Sequence, residues 1–164
     1  EIPLRLVGSE MCIRDSYNAN LMEAQRHGHA MELDITEELP EITGDRERIV
    51  QVMMNVVSNS IKYTPAGGHI TLSAALRDGM ARLSAQDEGQ GIDADSLPHV
   101  FDRFYRTDQS RARQTGGTGL GLAIAKWIVD RHGGWFEVVS REGVGTRISF
   151  LLPSAPASTE EEAL

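Results

Sequence analysis

The stretch Arg46–Tyr63, RERIVQVMMNVVSNSIKY, decides how the rest of this chain is read. At ~100° per residue, Ile49, Val50, Met53, Met54, Val56, Val57 and Ile61 fall on one broad arc, as an amphipathic helix requires. Arg48, Gln51, Asn55, Ser58, Asn59 and Lys62 occupy the opposite side. Asp45 is a good N-cap, and Thr64-Pro65-Ala66-Gly67-Gly68 ends the helix and turns the chain. Asn55 and Asn59 lie one turn apart, and Lys62 follows on the same stripe. Amide oxygens suit a hard divalent cation and a neighbouring lysine suits phosphate. A plain solvent-facing stripe is the competing explanation.

Downstream of this helix, Ile70, Leu72, Ala74 and Leu76 alternate with polar or small residues, and Ala81, Leu83 and Ala85 alternate again after the turn at Asp78-Gly79. Asp87 continues the second series in phase, so it is expected to point toward the buried side, where an unpaired carboxylate costs several kcal/mol. A second apolar helix is predicted over 119–132, closed by Gly133-Gly134, and a hairpin over Phe136–Ser140 and Thr146–Leu152. Upstream, 17–27 is expected to form a short helix, and Met31, Leu33 and Ile35 a half-buried strand. This order of elements predicts an α/β two-layer sandwich, with helices on one face of a mainly antiparallel mixed sheet.

One domain is expected over 17–153, followed by a disordered acidic tail at 154–164. Residues 1–16 are set apart as adapter-derived or linker sequence. Leu6–Ser16, LVGSEMCIRDS, shows no clear period and resembles a conceptual translation of a transposase sequencing adapter, so natural sequence is expected to begin near Tyr17.

The chain has 164 residues, 40% of them hydrophobic, enough for one core. No apolar run approaches the ~18 residues of a membrane-spanning helix. A formal net charge of −8 argues against nucleic-acid binding by counterion release. Arg103, Arg106, Arg111 and Arg113 nevertheless crowd one short stretch, as a local anion site or a solvated loop would explain. The single Cys12 excludes an internal disulfide framework or a cysteine zinc site.

Two glycine-rich segments complete the pattern. Asp87-Glu88-Gly89-Gln90-Gly91 follows a strand directly, and glycines there let a ligand approach the backbone while Asp87 accepts from an amine. Gly116-Gly117-Thr118-Gly119-Leu120-Gly121-Leu122 opens a helix, where free N–H groups and the helix dipole favour an anion. No Gly-Lys-Ser/Thr follows, so it is not a Walker loop, and no βαβ unit surrounds it as a Rossmann fingerprint requires.

Taken together, these segments resemble one family. Asn55-x-x-x-Asn59-Ser60-Ile61-Lys62-Tyr63-Thr64-Pro65 is similar to the N box of histidine kinases, Asp87-x-Gly89-x-Gly91-Ile92 to the first glycine box, Phe101-Asp102-Arg103-Phe104-Tyr105-Arg106 to the F box, and Gly117–Ile124 to the second glycine box. The resemblance, running from about Tyr17 to Pro153, implies the Bergerat ATP-binding fold and a catalytic domain that binds ATP and Mg²⁺. It implies Asn59 as Mg²⁺ ligand supported by Asn55, Lys62 at phosphate or ribose, and Tyr63 beside the adenine. Asp87 would accept from the adenine amine, with Gly89 and Gly91 letting the base come close. Thr118, Gly119, Leu120, Gly121 and Leu122 would wrap the phosphates, and Arg106 would reach the γ-phosphate.

Hydrolytic relatives carry a glutamate four residues before the metal-binding asparagine. Here that position is Asn55, which cannot act as a base. None of His27, His29, His69, His99 or His132 stands in the family's phospho-acceptor context; His27 and His29 are expected to be solvated, and His132 to cap a helix. The resemblance therefore implies a histidine-acceptor dimerisation domain encoded upstream, a response regulator as the next partner, and a cytoplasmic location in a parent protein anchored in the bacterial inner membrane. A purely nucleotide-binding regulatory module and a hydrolytic ATPase stay open as alternatives; the F box weighs against both.

Overall fold

The fold, taken from a computed structural model, is described for residues 5–35, 38–102 and 121–155. Its central helix, α2 (Arg46–Tyr63), begins where Asp45 Oδ1 accepts from the Glu47 N–H at 3.1 Å, an N-cap satisfying one orphan donor. Around it the chain runs β1 (Arg5–Gly8), α1 (Ser9–Arg26), β2 (Ala30–Ile35), β3 (Glu41–Gly44), then after α2, β4 (His69–Arg77), β5 (Met80–Asp87), a 3₁₀ turn (Leu97–His99), α3 (Gly121–Arg131), β6 (Trp135–Arg141) and β7 (Gly145–Pro153).

Five strands form one sheet in the order β2-β4-β5-β7-β6. Only the β2–β4 pair is parallel; β4–β5, β5–β7 and β6–β7 are antiparallel. The alternation read along the strands now has its cause. Ile70, Leu72 and Ala74, Ala81, Leu83 and Ala85, and Ile148, Phe150 and Leu152 are all buried and join Ile49, Val52, Met53, Val56 and Val57 of α2 and Ile128 and Val129 of α3 in one core. The helices and the sheet are the two expected layers. An aromatic ladder extends this core outward: Phe101 lies 4.7 Å from Phe136, which lies 5.7 Å from the fully buried Phe150.

Several local expectations change. The buried arc of α2 is rotated toward Val52 and Ser60, both 1% exposed, while Val50 and Met54 are only half-buried. The reason is packing: α2 sits between α1 and α3 as well as on the sheet. The first helix is Ser9–Arg26 rather than 17–27, and it crosses the boundary at Tyr17 without a break. Its inward stripe includes Cys12, Ile13, Ser16 and Asn20, with Ser16 Oγ donating to the Cys12 carbonyl (2.9 Å) and Asn20 Nδ2 to that of Ser16 (2.8 Å). Polar residues that satisfy themselves on their own helix hide the apolar period. Burial pushes the Cys12 thiol up to about 11. Two short strands, β1 and β3, were not legible either; they pair with each other apart from the main sheet. The ordered domain also continues past Pro153, since Ser154 bridges Ile42 and the Ala155 N–H donates to Glu41 (2.7 Å); the rest of the predicted tail lies outside the described residues. Among the described residues, no helix is long and apolar enough to cross a membrane.

His132 performs the expected capping and more. Its Nδ1 faces the Ile128 carbonyl at 2.8 Å, while its Nε2 accepts the Asp45 N–H at 3.0 Å. A backbone N–H can only donate and a carbonyl can only accept, so the ring is held as the Nδ1–H tautomer. It ties the end of α3 to the start of α2, and a Cβ on Gly44 would run into the ring. His132→Ala is expected to cost about 1–3 kcal/mol by leaving the Asp45 N–H unpaired. Urea unfolding measures that loss, and an unchanged midpoint would show the staple to be idle.

Candidate functional site

Asp87 ends β5, and the phase of that strand turns it toward the helices, as expected; it is 7% exposed. Its Oδ1 accepts from the Gly89 N–H at 2.9 Å and from the Thr146 N–H at 3.2 Å. The second bond follows from register, because Asp87 and Thr146 are partners across β5 and β7. Burial nevertheless pushes the carboxyl above its ordinary range, against the opposing pull of Gly89, the Ser60 hydroxyl, Thr146 and the nearby His29. Ser60 Oγ favours the charged form without meeting hydrogen-bond geometry; it is buried and has no hydrogen-bond partner among the described residues, so its help is weak. Asp87 is thus an acceptor held under a desolvation penalty, a poised arrangement for an incoming donor.

The glycines after Asp87 also meet a constraint set by the protein itself. A Cβ on Gly89 would stand 2.5 Å from the Tyr63 carbonyl oxygen, and one on Gly91 would strike the Arg141 carbonyl. Gly91 also has φ +76°. Both positions are closed by the protein's own backbone, so these glycines first let the loop dock on the end of α2 and on the β6–β7 hairpin. Two bonds fasten that hairpin contact, the Gly143 N–H to the Gln90 carbonyl (2.7 Å) and the Ile92 N–H to Ser140 Oγ (2.7 Å), and within the hairpin Ser140 Oγ and Thr146 Oγ1 share a hydrogen bond at 2.8 Å.

On α2, Asn55 Nδ2 donates to the Gly121 carbonyl at 3.1 Å, bringing the first residue of α3 to the polar stripe. Asn59, half-buried, follows one turn later on that stripe, then the exposed Lys62 and the half-buried Tyr63 at the helix end. The structure therefore gathers Asn55, Asn59, Lys62, Tyr63, Asp87, Gly89, Gly91 and Gly121 around the C-terminal half of α2 and the adjoining end of β5. Leu122 packs against the core from the first turn of α3. Arg106, Thr118, Gly119 and Leu120 lie outside the described residues.

Three neighbours of Asp87 were missed: Thr146, Ser60 and His29. Thr146 had a signal, since the alternation of β7 places it in the inward series. Ser60 and His29 had none, because a polar residue in an apolar arc reads as noise. His29, expected to be solvated, is 6% exposed and holds Nε2 2.7 Å from the Thr64 carbonyl.

Comparison with known proteins agrees with this architecture. The family described as histidine kinase-, DNA gyrase B-, and HSP90-like ATPase matches residues 44–156. The sensor histidine kinase WalK of Bacillus subtilis (strain 168) is 50% identical over 111 residues, which are 66% of this chain and 18% of WalK. The sensor histidine kinase YkoH of the same organism is 47% identical over 108 residues, 66% of this chain and 23% of YkoH. The chain thus spans less than a quarter of the length of these two relatives. Among solved structures, full-length ShkA in complex with AMPPNP superposes with a TM-score of 0.85 at 31% identity, covering 96% of this chain and 32% of ShkA. The catalytic domain of histidine kinase ThkA gives 0.80 at 27% identity, covering 93% of this chain and 99% of that domain. Among the described residues, a parallel β2–β4 pair in an otherwise antiparallel sheet, helices α1, α2 and α3 packed with it and a buried aspartate at the end of β5 are thus the Bergerat fold, and the chain, similar to the catalytic domains of sensor histidine kinases, belongs to the histidine kinase-, DNA gyrase B-, and HSP90-like ATPase family.

Proposed function

We propose that this domain binds ATP with Mg²⁺ and transfers the γ-phosphoryl group to a histidine on a dimerisation domain that is not part of this chain. In the two-component scheme that phosphate then passes to an aspartate of a response regulator, from a parent protein anchored in the membrane with this domain in the cytoplasm. The observation that carries the reading is Asp87: a buried carboxylate whose Oδ1 is occupied by two backbone donors while burial disfavours its charge. An adenine exocyclic amine would supply the further donor that offsets this penalty, and Tyr63 stands at the adjoining helix end. Gly89 and Gly91 would let the base come close, and they also dock the loop that shapes the adenine pocket.

The same helix supplies the polar end. Among the described residues, no group of three or more His, Cys, Asp or Glu could hold a metal ion. An Mg²⁺ ion usually shares its shell with water, substrate phosphates and one or two protein oxygens, so the donor set on α2 fits a nucleotide-bridged ion. Asn59 would hold it, and Asn55 would keep the stripe and the α3 N-terminus together. When bound, the ion neutralises charge on the transferring phosphoryl group. Lys62 would meet phosphate or ribose; Thr118, Gly119, Leu120, Gly121 and Leu122 would cover the phosphates, with Arg106 at the γ-phosphate. Asn55 donates its amide hydrogen to Gly121 and offers no base to a water, which favours transfer over hydrolysis.

Mixing the chain with a cognate acceptor domain and labelled ATP tests the whole reading. Acid-labile phosphate should form on the acceptor domain, slowly for want of tethering, and hydrolysis by the chain alone should be minimal. Labelling of His27, His29, His69, His99 or His132 instead would overturn it.

Asp87→Asn separates binding from stability. The raised folded pKa means that the native state holds its proton more tightly than the unfolded one, so stability is greatest below the unfolded pKa and is lost as pH rises through the folded pKa. The amide removes that loss while still accepting from Gly89 and Thr146. The variant should therefore lose roughly tenfold or more in ATP affinity, from a charge-assisted bond of about 1.5–3 kcal/mol, yet melt no lower than the parent at pH 7. Calorimetry and thermal melts read the two effects independently.

For Asn59→Ala, ATP affinity measured with Mg²⁺ should fall far more than affinity measured in EDTA. Equal losses would assign Asn59 to the fold and not to the metal.

A further inference from the structure

We propose that His29, in the loop between α1 and β2, is a positioning residue that sets Asp87 at the adenine amine. The inference rests on the nucleotide reading above. His29 is buried, and its Nε2 lies 2.7 Å from the Thr64 carbonyl; since a carbonyl only accepts, Nε2 carries the proton. Nδ1 is buried as well and has no hydrogen-bond partner among the described residues. A core histidine that bonds by one nitrogen only is costly, and an apolar side chain would fill the same place without that cost.

The bond reaches the site in two steps. Thr64 is the C-cap of α2, and the preceding carbonyl, that of Tyr63, is the atom against which Gly89 is pressed. The Gly89 N–H in turn holds Asp87 Oδ1. Fixing Thr64 therefore fixes the wall behind the Asp87 carboxylate. The His29 loop is itself rigidly placed: the His29 N–H donates to Ala24 (2.9 Å), the Ala30 N–H to Gly68 (3.1 Å), and the Gly67 N–H to Gly28 (2.9 Å). The His27 ring stacks on the outer side, 5.9 Å away with planes 16° apart. His29 is also close enough to favour the ionised form of Asp87.

The test compares ATP with purine riboside triphosphate, which lacks the exocyclic amine, in the full chain. In His29→Leu, ATP affinity should fall by about 5–10-fold, the loss of one hydrogen bond's worth of positioning. Affinity for the amine-less nucleotide should stay within about twofold, because the weakened contact is the amine's. His29→Gln, whose amide places a donor near the same point, should restore the preference for ATP. His29→Asn, too short to reach Thr64, should behave like the leucine variant and serves if that one does not fold. Asp87→Asn is the control that must abolish the preference. Equal losses for both nucleotides, or an unchanged preference in both His29→Leu and His29→Asn, overturns the role of His29. If Asp87→Asn retains the preference, the adenine assignment itself fails.

Discussion

A carboxylate inside a protein has to be surrounded by donors, and Asp87 makes that demand where β5, β7, the end of α2 and a glycine loop converge. Its Oδ1 is shared by the N–H groups of Gly89 and Thr146. The Thr146 bond exists because β7 lies beside β5 in one particular register. The Gly89 bond requires the loop to fold back so tightly that only glycine fits against Tyr63. Shift any of these elements and a buried charge loses a donor, at a cost of the order of 1–3 kcal/mol. The loop, the hairpin and the helix end are in this sense one unit.

That coupling accounts for how packing and binding use the same residues. Gly91, Ser140 and Gly143 dock the loop to the hairpin, so the base of the site is built from the sheet. At the other end, the amide of Asn55 reaches Gly121 and joins the polar stripe of α2 to the first residue of α3. His132 closes the circuit from behind by tying the last turn of α3 to Asp45 at the start of α2. Helix α2 is held at its N-terminus, middle and C-terminus by three separate side-chain contacts, which suits a helix that must present amides and a lysine in fixed positions.

Asp87 also carries a cost that the fold accepts. Desolvation works against its charge in the free domain, and a donor from a bound ligand would relieve it. Stability and affinity are therefore opposed at this position, as at other sites where a polar group is buried for use.

Periodicity alone determined most of the architecture. The 3.6-residue period of Arg46–Tyr63, the two-residue alternation through Leu83 and Ala85, and the glycine pairs that stop each element are local consequences of backbone geometry. They made the two-layer sandwich, the capping of α2 by Asp45 and the inward direction of Asp87 legible, and the spacing of the motifs pointed to the family. What tertiary structure decided is every relation in which a residue answers to a distant partner. The strip of α1 from Ser9 to Ser16 reads as patternless because Ser16 and Asn20 satisfy their polar atoms on their own helix, so their burial leaves no hydrophobic trace. The buried arc of α2 turned toward Val52 and Ser60 because α2 packs on the sheet as well as against the helices on either side of it. Gly89 and Gly91 are required by the carbonyls of Tyr63 and Arg141, which lie remote in sequence, and His29 is buried because Thr64 offers it an acceptor 35 positions further along the chain. Local periods encode which way a side chain points; what it meets there is set by the packing of elements that sequence distance does not reveal.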